Sequence, residues 1–206
     1  MDKPIKKDTE AEILKAAKRV FIEKGYDGAR MQEIADEANI NKAMLHYYFR
    51  SKEALFSKIL EEAVDLSVAN MFPAFQYNGT IMEKMERLVN NYIDTMSKNP
   101  HIPLFLLSEM SRGQQSFQTK LKSKMMENGI LPAFIHQYLQ EQEQRILRPV
   151  PPNHFILTVM SLINFPFIAK SIFITMLDLP EKDFLAMMQE RKTIVINVLK
   201  DSFTQS

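Results

Sequence analysis

The chain has no cysteine, no tryptophan and only five glycines among 206 residues. Without thiols there is no disulfide framework, no thiolate metal site and no cysteine nucleophile. So few glycines leave little for the turns of a β-meander or for a loop wrapped around a phosphate, which favours an α-rich chain. An excess of one charge is missing as well: 26 basic against 25 acidic side chains give a net charge of +1. A chain that is basic all over, the footprint of bulk nucleic-acid binding, is therefore excluded. Long apolar runs are also lacking. The nearest is Phe155 to Ala169, fifteen residues without a charge. It is shorter than a membrane span and carries Asn164 and Pro166, so it reads as a helix buried in a core or a subunit interface. Met1 to Asp8 hold no apolar segment of the kind a secretory signal needs, and a cytoplasmic location without membrane insertion is expected.

What is present is a composition that can bury a core: 46% hydrophobic and 25% charged residues, with 14 Met and 14 Phe. Turn signals divide it into helices. Thr9-Glu10-Ala11-Glu12 has the form of a capping box, and Ile13, Leu14, Ala17, Val20 and Phe21 follow at helical spacing up to a stop at Gly25. A short helix is predicted over Met31 to Ala38, with Asn39 able to take the left-handed turn conformation. Asn41 caps a third helix ending near Phe49, and Ser51 a fourth running to about Asn70. Phe72 to Gly79 reads as a loop and Thr80 to Lys98 as a helix. Another begins at Asn99-Pro100 and ends at Arg112-Gly113. Gln115 to Leu147 forms one helix or two, since Gly129 and Pro132 interrupt it. After the connector Arg148-Pro149-Val150-Pro151-Pro152 come two apolar helices, 154–177 and 180–203. The fold class is all-α, with about nine helices and no repeat.

The informative stretch is Met31 to Phe49. Two short helices joined by Asn39-Ile40-Asn41 make a helix-turn-helix, whose second helix is shaped to lie in a DNA major groove. Ala35 is small where the helices cross. Leu45, Tyr48 and Phe49 share one face, while Lys42, Ala43, His46 and Tyr47 fall on the other. That second face is built for contact.

Three blocks carry a resemblance: Ile13-Leu14-x-Ala16-Ala17 with Phe21 and Gly25-Tyr26, then Glu33-Ile34-Ala35-x-x-Ala38, then Leu45-His46-Tyr47-Tyr48-Phe49-x-Ser51-Lys52-Glu53-x-Leu55-Phe56. Their spacing resembles that of the TetR family of bacterial transcriptional regulators across residues 9 to 60. The resemblance implies an N-terminal three-helix DNA-binding domain over residues 1–52 and a helical ligand-binding and dimerisation domain over 53–206. It implies a homodimer on a palindromic operator of double-stranded DNA, most often a repressor released when a small apolar or amphipathic effector binds the second domain. An activator, a regulator without a ligand, or a helical small-molecule carrier are the alternatives. By matching positions, the DNA-contacting residues would be Arg30, Met31, Gln32, Lys42, Ala43, Met44, His46 and Tyr47, with Tyr48 and Lys52 beside the phosphates. Gln32 suits an adenine edge, Lys42 a guanine or a phosphate, and Lys52 adds charge at the start of the fourth helix. The pattern departs from the family at Arg30 (usually Thr, and so no side-chain cap), Asn39 (usually Gly), Met44 (usually Thr) and His46 (usually Tyr).

Charge is not spread evenly. Residues 1–52 hold eleven Lys and Arg against nine Asp and Glu, a net +2, leaving −1 for the rest. The cations Arg30, Lys42, Arg50 and Lys52 surround the contact face, and Glu33, Asp36 and Glu37 are free to turn away. In the second half, Met and Phe accumulate as in a pocket for varied apolar ligands. Tyr92, Phe105, Glu109, His136 and Asn164 are the candidate ligand-binding residues, Asn164 because an amide in an apolar run needs a partner. The stripes Phe155, Val159, Leu162/Ile163, Pro166 and Phe184, Met187/Met188, Arg191, Val195, Val198 are expected to pair two subunits through 154–177 and 180–203. The four histidines at 46, 101, 136 and 154 are scattered, so no metal and no cofactor is expected. No Ser/His/Asp ordering appears, and an enzyme is not expected.

Overall fold

A computed structural model describes residues 5–111, 119, 122, 123, 126 and 129–205. Among them are ten helices: α1 (Ile5–Gly28), α2 (Met31–Glu37), α3 (Lys42–Tyr48), α4 (Lys52–Gln76), α5 (Ile81–Lys98), α6 (Ile102–Ser111), α7 (Ile130–Glu143), α8 (Pro152–Ile168), α9 (Lys170–Met176) and α10 (Glu181–Phe203). The only β pairing among the described residues is one antiparallel bridge, Leu147 with Thr204. The chain divides into two compact units, Met1–Val64 and Asp65–Ser206.

The first unit is built on α1. Its stripe Ile13, Ala17, Val20 and Phe21 is buried, and it packs on α2, which packs on α3. Ala35 has no exposed surface, as a close helix crossing requires. Gly25 interrupts α1 at φ 67°, ψ 176°, a conformation open to glycine, so the predicted stop is real although a further turn follows it. The helix begins at Ile5, ahead of the expected cap at Thr9, because no glycine or proline separates Ile5 from Lys24. Asn39 takes the left-handed conformation at φ 53°. The Asn41 side chain accepts from the Met44 N–H at 2.7 Å, and Ser51 Oγ from the Ala54 N–H at 3.1 Å.

In the second unit α5 is central and packs on α10, α8 and α7, while α6 packs on α8. Its buried positions Ile81, Met85, Leu88, Tyr92 and Met96 follow the helical period. Thr80 forms a capping box with Glu83. An aromatic cluster seals the far end: Tyr138 and Phe155 lie 4.9 Å apart, Phe155 and Phe203 4.8 Å.

Three expectations are corrected. The loop expected over Phe72 to Gly79 is mostly helix, since α4 continues to Gln76 through Pro73. Burial of Val68 and Ala74, and the edge-on contact of Phe75 with Phe134 at 5.3 Å, outweigh the one hydrogen bond that proline forfeits. The helix expected over 154–177 is two, α8 and α9, bent by 64°. Pro166 withholds an N–H from the end of α8, and the axis turns at Ala169. No single helix among those described is long and apolar enough to cross a membrane. Finally, Phe155, Val159, Ile163, Pro166, Phe184, Met188 and Val195 of the expected stripes are buried within their own chain and face inward, while Val198 stays exposed. The helix expected to start at Gln115 lies, up to Gly129, largely outside the described residues. Gly129, at φ 63°, stands directly before α7.

Candidate functional site

Seven residues make α3, and one of them fixes its orientation. Leu45 is fully buried and Phe49 follows it inward, which turns Lys42, Ala43, Met44, His46 and Tyr47 outward. Tyr47 is 70% exposed. Tyr48 is half-buried and meets Tyr47 edge-on at 5.5 Å. At the start of α2, Arg30 and Gln32 are exposed and Met31 half-buried. Arg30 has no acceptor to cap the helix, but Glu33 reaches back and accepts from the Arg30 N–H at 3.3 Å, so half of a capping box survives. The Gln32 amide donates one of its two hydrogens to Asp36 at 2.8 Å.

Two of the three acidic residues of α2 are drawn toward α1. Glu33 pairs with Lys24 at 3.0 Å and Glu37 with Arg19 at 2.9 Å. The Lys24 ammonium beside it holds the Glu33 carboxyl below the usual range. Glu33 and Glu37 are thus engaged on the α1 side and Asp36 by Gln32, while Arg30, Lys42 and Arg50 stay exposed. Placement of charge, not its total, makes this face electropositive.

Lys52 sits differently from the expectation that it offers its charge to a phosphate. Its ammonium donates to the carbonyls of Tyr26 at 3.0 Å and Ala29 at 3.2 Å, and lies 4.4 Å from the centre of the Tyr26 ring. The Tyr26 hydroxyl in turn donates to Glu53 at 2.8 Å. The Glu53 carboxyl is held below its ordinary value first by its own backbone N–H and then by that hydroxyl. The motif residues Tyr26, Lys52 and Glu53 therefore brace the end of α1 against the start of α4.

In the second unit the structure joins two of the candidate ligand residues. The buried Tyr92 hydroxyl donates to the Asn164 carbonyl oxygen, and the Asn164 amide donates to Met160 O at 3.0 Å. Asn164 thus finds its partner on a neighbouring helix. Burial pushes the Tyr92 phenol far up. Phe105 and Glu109 are buried on one stripe of α6, with Glu109 only 1% exposed. His136 is exposed: the inward stripe of α7 is Phe134, Tyr138 and Glu141, and His136 lies off it. Sequence reasoning passed over Glu141, although an acid in register with Phe134 and Tyr138 was the available signal. Both its oxygens accept from the Ile81 N–H, at 3.0 and 3.1 Å, and one accepts from Gln137 at 2.7 Å. A buried carboxylate at a helix start is favoured by the unsatisfied N–H groups there, so Glu141 is a structural cap of α5. Among the described residues no group of three His, Asp or Glu side chains is placed to hold a metal ion.

The comparisons agree with this geometry. The model of the family "Bacterial regulatory proteins, tetR family" matches residues 13–59, which span α2 and α3 with the helices on either side. A probable HTH-type transcriptional regulator, YttP of Bacillus subtilis, is 24% identical over 166 residues, covering 80% of this chain and 79% of its own. The solved structure of HlyIIR, a hemolysin II transcriptional regulator, aligns with TM-score 0.61 and 27% identity over 88% of this chain and 97% of that one. The ketosteroid transcriptional regulator KstR2 of Mycobacterium tuberculosis shares the fold, with TM-score 0.72 and 16% identity over 96% of this chain and 95% of its own. The family match over residues 13–59 and these relatives together support a bacterial transcriptional regulator of the TetR family.

Proposed function

We propose that this regulator is a homodimeric, cytoplasmic repressor that binds a palindromic operator and leaves it when a small apolar or amphipathic molecule enters the second unit. The observation that carries the DNA-binding half is the outward face of α3. Lys42, Ala43, Met44, His46 and Tyr47 are all exposed there, held by the anchor Leu45. Arg30 and Gln32 extend that face from α2, and Arg50 adds a cation beyond α3. A helix of this size enters a major groove, and two copies related by a two-fold axis would read two half-sites. Lys52 and Tyr48 support the recognition helix in this reading, with phosphate contact secondary.

A dimer is supported by the apolar residues that α8 and α10 leave exposed. Leu157 and Phe165 lie two turns apart on α8, and Ile194 and Val198 one turn apart on α10. Exposed apolar side chains in register on two adjoining helices mark an interaction face. The effector would lie beside Tyr92, Phe105, Glu109 and Asn164, where polar groups are set in apolar surroundings.

A mobility-shift titration with DNA fragments flanking the chain's own gene tests the proposal. The wild type should retard one fragment specifically, and Lys42→Ala combined with Tyr47→Ala should not, while circular dichroism shows both folded. Equal retention of every fragment by both proteins would reject sequence-specific regulation.

A further inference from the structure

His46 stands where the family usually has tyrosine, and its ring has a fixed polarity. Nδ1 faces the backbone carbonyl of Arg50 at 3.4 Å. A carbonyl only accepts, and two lone pairs facing each other repel, so the nitrogen nearer Arg50 carries the hydrogen. In the neutral ring Nε2 is then left as a pure acceptor at the far end of an exposed side chain on the outward face of α3. Tyrosine, which can donate or accept by rotating its hydroxyl, imposes no such choice.

We infer that neutral His46 selects a base that offers a hydrogen, the amino group of cytosine or adenine, and that its protonated form selects guanine instead. The inference rests on the DNA-binding reading of α3. In the major groove the donors are the amino groups of cytosine and adenine, whereas guanine shows two adjacent acceptors. Neutral Nε2 complements the first and is repelled by the second. A proton on Nε2 reverses both signs and leaves the Arg50 hydrogen bond in place.

Charged groups stand on the same segment as His46 and on the neighbouring elements. On its own segment they are Lys42 one turn before and Arg50 one turn after. From α2, Glu33 is engaged by Lys24, Glu37 by Arg19 and Asp36 by Gln32. At the start of α4, Glu53 accepts from the Tyr26 hydroxyl and Lys52 donates to the Tyr26 and Ala29 carbonyls. The contact at Arg50 is to its main chain, so replacing that side chain leaves it intact.

The test is selection from a pool of randomised DNA duplexes at about pH 8 and about pH 5.5, values that bracket the ordinary histidine titration. Wild type, His46→Phe, His46→Lys and Arg50→Ala are compared, each first shown to melt cooperatively. The wild type should enrich adenine or cytosine about fivefold at one position of each half-site at the higher pH, and guanine there at the lower. His46→Lys should take guanine at both. His46→Phe should show no change with pH, which removes contributions from His101, His136 and His154. Arg50→Ala should keep the wild-type switch while binding all sequences more weakly. A motif with the same composition at both pH values, or a switch that persists in His46→Phe, overturns the inference and leaves DNA binding standing. Enrichment of no motif by any protein at either pH rejects the DNA-binding reading, and this inference with it.

Discussion

Arg191 on α10 donates its Nε hydrogen to the backbone carbonyl of Leu162 on α8 at 3.2 Å. Leu162 needs an outside donor because its helical partner would be residue 166, which is proline and has no N–H. A guanidinium is thus spliced into the helical ladder just before the 64° bend into α9. Burial holds the pKa of Arg191 below the ordinary arginine value, in keeping with a side chain drawn off the surface. Arg191→Met should cost about 1–2 kcal/mol, the penalty for leaving that carbonyl unmet. In a Pro166→Ala background, where residue 166 supplies the missing N–H, the same change should cost markedly less. Urea denaturation of the four proteins in the cycle gives the coupling. Equal costs in both backgrounds would show that Arg191 acts by packing alone.

The Tyr92–Asn164 pair ties α5 to α8. Replacing Tyr92 by Phe leaves the Asn164 carbonyl oxygen without its donor and should cost about 1–2 kcal/mol near neutral pH. The pH dependence is more diagnostic. Burial raises the Tyr92 phenol above its ordinary value of 10.0. Above that pH the unfolded chain releases the proton while the folded chain keeps it. The stabilisation is therefore complete below about pH 10 and falls by roughly 1.4 kcal/mol per pH unit as pH rises further. Tyr92→Phe should lose stability less steeply than the wild type in that range. Parallel curves above pH ~10 would mean that the hydroxyl is solvated when folded.

Lys52 separates a structural role from a DNA-contacting one. Lys52→Met keeps the aliphatic stem against Tyr26 but removes both donors to the end of α1. The DNA-binding unit should lose about 1–2 kcal/mol in the absence of DNA. An unchanged free protein with weakened DNA binding would return Lys52 to the phosphates.

These tests touch what the sequence shows well and what it hides. Gly25, Asn39, Asn41 and Ser51 were readable one by one, because a left-handed turn or an uncapped helix start admits few residue types. Leu45 against Lys42 and Tyr47 was readable from the helical period. The run of α4 through Pro73 was not, since the deciding terms are contacts of Val68, Ala74 and Phe75 with distant chain. On α8 the period gave a correct stripe and the wrong occupant. Phe155, Val159 and Ile163 are apolar in register whether a subunit or the chain's own core covers them. His136 and Glu141 were confused for a related reason. Both are polar residues on one helix, and only the rotation set by Phe134 and Tyr138 decides which is buried.

Electrostatics predicts a steep salt dependence despite a net charge of +1. Each phosphate neutralised adds close to one unit to the slope of log affinity against log salt. Lys42→Ala should reduce that slope by about two for a dimer, one per half-site, as anisotropy titrations on the retarded fragment would show. A loss of affinity with unchanged slope would make Lys42 a base reader that leaves the phosphates alone.

The outer faces of α8 and α10 are the proposed dimer face. Leu157 is 63% exposed and Ile194 55%, so a charge at either meets water in a monomer and costs the fold little. Buried between two subunits, the same charge would be unpaired and strongly unfavourable. Leu157→Glu and Ile194→Glu should therefore yield folded monomers by sedimentation where the wild type sediments as a dimer. Stripe residues such as Val159→Glu should unfold the chain instead. The monomers should also lose retention of the palindromic fragment, since one recognition helix makes only half of the contacts. If both variants remain dimeric, the subunits meet elsewhere, and the exposed residues Ile172, Met176 and Leu177 around α9 become the next face to charge.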